Sequence, residues 1–298
     1  MAALPQRLRG RLAFLFLLLC LPALGGCSYT VTRLGQDCSG PGGYCPQTRE
    51  VAGKTWRYAQ LAQNVYWENG LTSTKPDDEL YVLPEDLKER FASVDDKVGF
   101  AYSVFDRFEG DHLKEVVLVY RGTEGPKDWY YGTLLGQQAP RGLSIYRQVR
   151  HGLDEAGYAD IPVSLTGHSL GGRIADHVLK KVEREDGALP ETLHSYLFNP
   201  NAGGWALEKG LDGKTVHTSV SETADVAGWV RFAANDGRWD GYVIDCQSTI
   251  DPVASHFMRR LADCLTWIAA LDSEAARKSV ISNEIDPPVT AGIENKAL

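Results

Sequence analysis

The stretch that decides the fold is residues 161–182, which read IPVSLTGHSLGGRIADHVLKKV. Residues 161–165 form a short, largely apolar segment of the kind found in buried strands. A glycine-rich turn follows, and after it apolar residues recur at helical spacing and mark one face of an amphipathic helix, namely Ile174, Val178, Leu179 and Val182. The pattern predicts a strand, a sharp turn and a helix in immediate succession.

Strands and helices are predicted to alternate on both sides of this stretch. Residues 115–120 are nearly all apolar, as in a strand that is covered on both faces. Further strands are predicted at 98–105, 196–198 and 216–220, and helices at 54–66, 143–153 and from about 257 to 268, whereas 69–95 is polar and turn-rich. Alternation of this kind predicts an α/β fold in which a mostly parallel sheet carries helices on both faces.

The turn itself has the pattern Gly-x-Ser-x-Gly, in Gly167-His168-Ser169-Leu170-Gly171. Between a strand and a helix this pattern predicts the nucleophile elbow of an α/β-hydrolase, with Ser169 as the nucleophile. The positive end of the helix faces a developing oxyanion, and the main-chain N–H of Leu170 is the first expected donor to it. The alternative is a glycine-rich helix start in which Ser169 is a simple cap.

A serine nucleophile needs a general base, and the base needs an acid that orients it. In this fold the chain order is Ser, acid, His. His256 is the predicted base, because it follows every acceptable acid. Asp225, just past the fifth strand, is the first choice of acid, and Asp251 is the second. His168 is predicted to be scaffold, and no cofactor or metal is expected.

With the elbow identified, the chain resembles the class 3 (fungal-type) lipases. Gly167-His168-Ser169-Leu170-Gly171-Gly172 matches their elbow, and Val119-Tyr120-Arg121-Gly122-Thr123, followed by Asp128-Trp129, looks like the segment that builds their oxyanion hole. The resemblance implies that Thr123 is a second oxyanion donor. The segment Phe198 to Gly203, around the end of the fourth strand, departs from the family pattern. The resemblance therefore does not predict the mouth of the site or the acyl group that it accepts.

These observations predict a serine hydrolase of carboxylic esters, with an ester or lipid as its substrate. Aromatic stretches at 129–135 and 226–239 could line an acyl site, form a lid or belong to the core. Two alternatives remain: a non-catalytic, anchored binding module on a hydrolase scaffold, and a thioesterase or acyltransferase with the same triad.

The N-terminal residues have the features of an export signal. Residues 1–26 combine three Arg, an apolar run and small residues, and they end before Cys27 as in a bacterial lipobox. A lipidated Cys27 would attach the protein to a membrane on the periplasmic or cell-surface side. Residues 27–50 are then expected to form a disulfide-stapled tether, 51–280 the α/β-hydrolase domain, and 281–298 a loose tail.

Charge and cysteine content narrow the possible partners and the compartment. The net charge of −8 becomes −11 when three Arg are removed with the signal, which disfavours nucleic acid as a partner. Four cysteines remain, and an even number in an exported chain predicts two disulfides. We favour Cys38–Cys45 and Cys246–Cys264 among three possible pairings; four free buried thiols are the alternative.

Overall fold

The computed structural model describes residues 31–35, 38–66, 80–95, 99–122, 138–200, 217–223, 240–246 and 254–290. The strands in these ranges are β1 (Val31–Arg33), β2 (Leu87–Asp95), β3 (Phe100–Glu109), β4 (His112–Tyr120), β5 (Val163–His168), β6 (Leu193–Phe198), β7 (His217–Glu222) and β8 (Asp240–Ile244). The helices are α1 (Pro46–Asn64), α2 (Gln138–Glu155), α3 (Leu170–Asp186), α4 (Met258–Ala270) and α5 (Glu274–Ser282), with short 3-10 helices at Pro41–Gly43 and Ala254–His256.

Within the described ranges these strands form one sheet in the order β1-β8-β7-β6-β5-β4-β3-β2. Every neighbouring pair from β1 through β4 is parallel, whereas β3 runs antiparallel to both β4 and β2. The chain passes from β4 through α2 to β5 and through α3 to β6, so that helices connect the parallel strands. The predicted fold class, a mostly parallel α/β-hydrolase-type sheet, is confirmed.

The hydrophobic residues of β4 divide between two cores because successive side chains point to opposite faces of the sheet. Val117 and Val119 pack with α1, α4 and α5, whereas Val116 and Leu118 pack with α2 and α3. All four side chains are fully buried. The uninterrupted apolar run in the sequence is therefore a strand covered on both faces, with each buried side chain contributing about 1.5–3 kcal/mol.

The structure extends beyond the predicted N-terminal boundary of the domain. α1 begins at Pro46 rather than at Lys54, and β1 lies in the segment expected to be a tether. β2 falls in the stretch predicted to be turn-rich. Among the described strands it lies at the edge of the sheet and pairs with β3 alone. Its Phe91 is exposed, and its sequence does not alternate clearly between apolar and polar residues.

Residues 281–290, which lie beyond the predicted C-terminal boundary of the domain at 280, pack against the body of the protein. The Asn283 side chain donates to the carbonyl of Val82 and accepts from its N–H, and Ile285 is buried. Farther on, the Thr290 hydroxyl donates to the carbonyl of Asp245. These contacts join positions far apart in the chain, and no local pattern announces them. Residues 291–298 lie outside the described ranges.

The structure contains both favoured disulfides. Cys38 is bonded to Cys45, and Cys246 is bonded to Cys264, with Cα–Cα distances of 5.0 and 5.9 Å. The second bond joins the residues after β8 to α4, and it closes a segment that contains His256. Residues 1–26 and Cys27 lie outside the described residues. In the part of the chain that is described, no helix is long and apolar enough to cross a membrane.

Candidate active site

Ser169 stands between β5 and α3 in a strained turn. Its φ of 53° and ψ of −117° lie in a region that non-glycine residues seldom adopt, as is usual at a nucleophile elbow. The turn is so tight that it favours glycine: a Cβ on Gly167 would lie 2.5 Å from the carbonyl carbon of Gly171. The glycines thus allow β5 and α3 to approach each other closely. Ser169 lies between them, at the carboxyl edge of the sheet.

The imidazole of His256 meets this hydroxyl. His256 ends the 3-10 helix Ala254–His256, just before α4, and its Nε2 lies 3.0 Å from Ser169 Oγ. Ser169 is 8% exposed and His256 is partly buried, so the pair is largely shielded from water. A hydroxyl and an imidazole at this distance can exchange a proton, as nucleophilic catalysis by serine requires.

The first turn of α3 offers a main-chain donor beside the hydroxyl. Leu170 opens the helix, where N–H groups have no partner within the helix, and its side chain is buried in the core. Arg121 and Gly122 are the last described residues before Thr123. A Cβ on Gly122 would lie 2.7 Å from the carbonyl oxygen of His168, so this segment approaches the elbow closely.

The remaining site predictions fall on residues outside the described ranges. They are Thr123, the acid Asp225 and its alternative Asp251, and the aromatic stretches at 129–135 and 226–239. Asp225 follows the end of β7, a strand parallel to β5.

Three further residues lie around the predicted pair, and sequence reasoning gave two of them no role at the site. The Tyr66 hydroxyl lies 2.8 Å from His168 Nδ1, and Asn199 Nδ2 donates to the carbonyl of Ser255 over 3.1 Å. Asn199 has a positive φ of 39°, a conformation that Asn tolerates better than most residues. An Asn directly after a predicted strand was the one available signal, whereas nothing in the sequence pointed to Tyr66.

Residues 57–185 match the sequence model of the Tle-like phospholipase domain, a phospholipase-like family. The chain has an α/β-hydrolase fold, and this part of it is similar to a phospholipase-like domain. The matched region covers less than half of it, including the elbow and Gly122, and ends before β6 and His256. With the match and a hydroxyl–imidazole pair at the elbow, this hydrolase falls in the class of carboxylic ester hydrolases.

Solved structures similar to the hydrolase include three fungal lipases. The triacylglyceride lipase of Rhizomucor miehei has 18% identity and a TM-score of 0.44, over 62% of this chain and 76% of that chain. The lipase of Rhizopus microsporus var. chinensis has 17% identity and a TM-score of 0.45, over 70% of this chain and 78% of that chain. Lip2 lipase of Yarrowia lipolytica has 17% identity and a TM-score of 0.46, over 65% of this chain and 78% of that chain. A comparison with curated proteins found no match. The sheet topology and the elbow, rather than these likenesses, establish the fold.

A second Ser–His contact in the hydrolase lies away from the elbow. His217 begins β7, and its Nδ1 lies 2.8 Å from the Oγ of Ser195 within the sheet. Burial, together with the nearby His194, lowers the pKa of His217 to about 4. Both residues are buried in the amino-terminal half of their strands, away from the carboxyl edge that carries Ser169.

Proposed function

We propose that the hydrolase cleaves lipid esters through an acyl-enzyme on Ser169, with His256 as the general base. The observation that carries this proposal is the distance of 3.0 Å between His256 Nε2 and Ser169 Oγ. It occurs at a strained turn on the carboxyl edge of the sheet, where this fold presents its nucleophile.

The reaction follows from the two groups. Ser169 Oγ attacks the ester carbonyl carbon while its proton passes to His256 Nε2, and the carbonyl oxygen becomes an oxyanion. Collapse of this intermediate breaks the bond to the alkoxy group, which leaves as an alcohol with the proton from His256. Water then attacks the acyl-enzyme, gives a proton to His256, and releases the carboxylic acid as Ser169 regains its hydrogen.

Three further residues complete the proposed machinery. Asp225 orients the His256 ring and stabilises its imidazolium form, a role that its place after β7 supports, because the carboxyl ends of parallel strands share one edge. Asp251 is the alternative acid. The main-chain N–H groups of Leu170 and Thr123 receive the oxyanion, where one such donor contributes about 3–4 kcal/mol to the transition state.

The match to a phospholipase-like domain supports a lipid ester as the substrate. The exported, membrane-attached location is part of the same proposal, with Cys27 as the lipidated residue. Mass measurement of the membrane-extracted protein should find acyl groups on Cys27, and Cys27→Ser should move the protein to the soluble fraction. Membrane retention of Cys27→Ser would contradict this part.

Covalent labelling tests the chemistry. A fluorophosphonate should modify the parent protein, with the adduct on Ser169 by peptide mass. Ser169→Ala should abolish labelling, and His256→Gln should slow it by about 10³-fold or more. Ser144→Ala, at an exposed position in α2, is the matched control and should label normally. Absence of label on Ser169 of the parent protein would refute the proposed mechanism.

The substrate class needs a separate assay. Hydrolysis should be measured on nitrophenyl esters of graded chain length, on phosphatidylcholine vesicles and on a triacylglycerol emulsion. Turnover of at least one lipid is expected. A labelled enzyme that cleaves only soluble short esters or thioesters would keep the mechanism and overturn the lipid substrate.

A further inference from the structure

Two consecutive carbonyl groups of the Ala254–His256 turn are held by side chains from the carboxyl edge of the sheet. His168 Nε2, at the end of β5, lies 2.7 Å from the carbonyl oxygen of His256. Asn199 Nδ2, just past β6, donates to the carbonyl of Ser255 over 3.1 Å. The backbone that carries the imidazole of His256 is therefore fastened to two neighbouring strands.

The partners of His168 determine its protonation pattern. A carbonyl oxygen can only accept, so the hydrogen of His168 must reside on Nε2. In the neutral ring Nδ1 is then an acceptor, and the Tyr66 hydroxyl, 2.8 Å away, donates to it. Tyr66, His168 and the His256 carbonyl form one chain of hydrogen bonds with a single direction.

Asn199 is fixed in the same way. Its side chain is fully buried, its Nδ2 donates to Ser255, and its Oδ1 accepts the N–H of Glu222 at the end of β7. Both ends of the amide have partners, so the side chain cannot turn over without breaking two hydrogen bonds. Asn199 thus ties the turn to β7 as well as to β6.

These contacts close a ring around the nucleophile. The His256 side chain meets Ser169, the His256 carbonyl meets His168, and His168 is bonded covalently to Ser169. A shift of the turn away from the elbow would stretch both hydrogen bonds at once. Misplacement of a catalytic group by about 1 Å can cost about 10²-fold in rate.

We infer that Tyr66, His168 and Asn199 are positioning residues that set the distance between the imidazole of His256 and the hydroxyl of Ser169. The inference rests on the proposed function. The Tyr66 hydroxyl also lies close to Gly122, because a Cβ on Gly122 would be 2.1 Å from its oxygen. The same phenol therefore touches the segment that leads to Thr123 and the histidine that holds the base.

Two amide substitutions at position 168 separate positioning from packing. The amide nitrogen of His168→Gln reaches roughly the place of Nε2 and can still donate to the His256 carbonyl. In His168→Asn it reaches only the place of Nδ1. Both variants are neutral and lose the ring, so similar losses of stability are expected. The Asn variant should have a kcat at least about 10-fold below that of the Gln variant, with KM unchanged.

Tyr66→Phe tests the outer end of the chain, since it removes one oxygen and keeps the ring near His168. We expect kcat to fall by about 3- to 10-fold, the size of one neutral hydrogen bond, with little change in KM. The rate of fluorophosphonate labelling should fall in parallel, because it depends on the same activation of Ser169. Nitrogen NMR of the parent protein, with labelled histidine, should find His168 protonated on Nε2 and not on Nδ1.

The outcomes separate the two proposals. If the parent protein is labelled on Ser169 but His168→Asn and His168→Gln have equal kcat and equal labelling rates, the positioning role is wrong and the proposed mechanism stands. The same follows if Tyr66→Phe matches the parent in both rates. If the parent is not labelled on Ser169, the mechanism fails, and the positioning role fails with it.

Discussion

Gly171 lies directly against the main chain of Tyr120, so that a Cβ on Gly171 would be 2.0 Å from the Tyr120 carbonyl oxygen. This approach seats the start of α3 on the end of β4. We expect Gly171→Ala to push the helix away from the strand. Unfolding free energy should fall by about 1–3 kcal/mol and kcat by about 10²-fold or more, measured by urea unfolding and ester hydrolysis.

The control for that substitution is Gly152→Ala. Gly152 is exposed in α2, and a Cβ there would meet nothing within 4 Å. Alanine should raise the unfolding free energy by about 0.5–1 kcal/mol and leave kcat unchanged. Equal effects of the two substitutions on kcat would contradict the close-approach argument.

A buried ionic cluster far from Ser169 should affect stability alone. Glu115, near the start of β4, is 3% exposed and accepts hydrogen bonds from Tyr58, Ser164 and Arg107. Glu115→Gln removes the charge that these donors solvate, so unfolding free energy should fall by about 2–3 kcal/mol. Well below the unfolding midpoint, kcat should equal that of the parent. A loss of kcat like that expected for Tyr66→Phe would show that stability and positioning are not separable here.

The buried His217 makes stability depend on pH. Its pKa is about 4 in the folded protein and about 6.5 when unfolded, so only the unfolded chain binds a proton between these values. The contribution is complete above pH 6.5 and is lost as pH falls towards 4, by about 3 kcal/mol.

This dependence can be measured by urea unfolding at pH 4.5 and 7.5. His217→Gln should lose less stability between the two pH values than the parent does. His151→Gln, at an exposed position in α2, should behave as the parent. Identical pH profiles for parent and His217→Gln would mean that His217 does not titrate as burial requires.

The two disulfides should differ in their effect on activity. Loop closure predicts a loss of about 3 kcal/mol for Cys246→Ser/Cys264→Ser, with a separation of 18 residues, and about 2 kcal/mol for Cys38→Ser/Cys45→Ser, with a separation of 7. Only the first pair encloses His256, so only its removal should lower kcat at temperatures where both variants are folded. Equal kcat values would show that the bond does not restrain the His256 turn.

The parts of the fold and the site that could be predicted are those whose sequence pattern lies within a few neighbouring residues. The strand, turn and helix around Ser169 depend on residues within a few positions of one another, and the structure has them in the expected places. The continuous apolar run of β4 likewise indicates a strand that is buried on both faces. His256 could be singled out because chain order alone leaves one suitable histidine.

The parts that sequence reasoning missed depend on distant partners. β1 has only three residues and is held in the sheet by β8, and β2 is an edge strand held by β3. Neither strand therefore has a strong sequence pattern of its own. Tyr66 and His168 are separated by 102 positions, and Asn199 and Ser255 by 56. Such contacts are set by the packing of the whole sheet and leave no periodicity in the chain.

The position of β1 restricts how far the domain could stand from a bilayer. β1 begins at Val31 and is continuous with the sheet, since Val31 pairs with Gly241 and the N–H of Leu34 donates to Val243. If Cys27 carries acyl chains, four peptide steps connect the lipid to the sheet, a reach of about 14 Å at full extension. With that anchor, the start of β1 could stand no farther than about 14 Å from the lipidated residue.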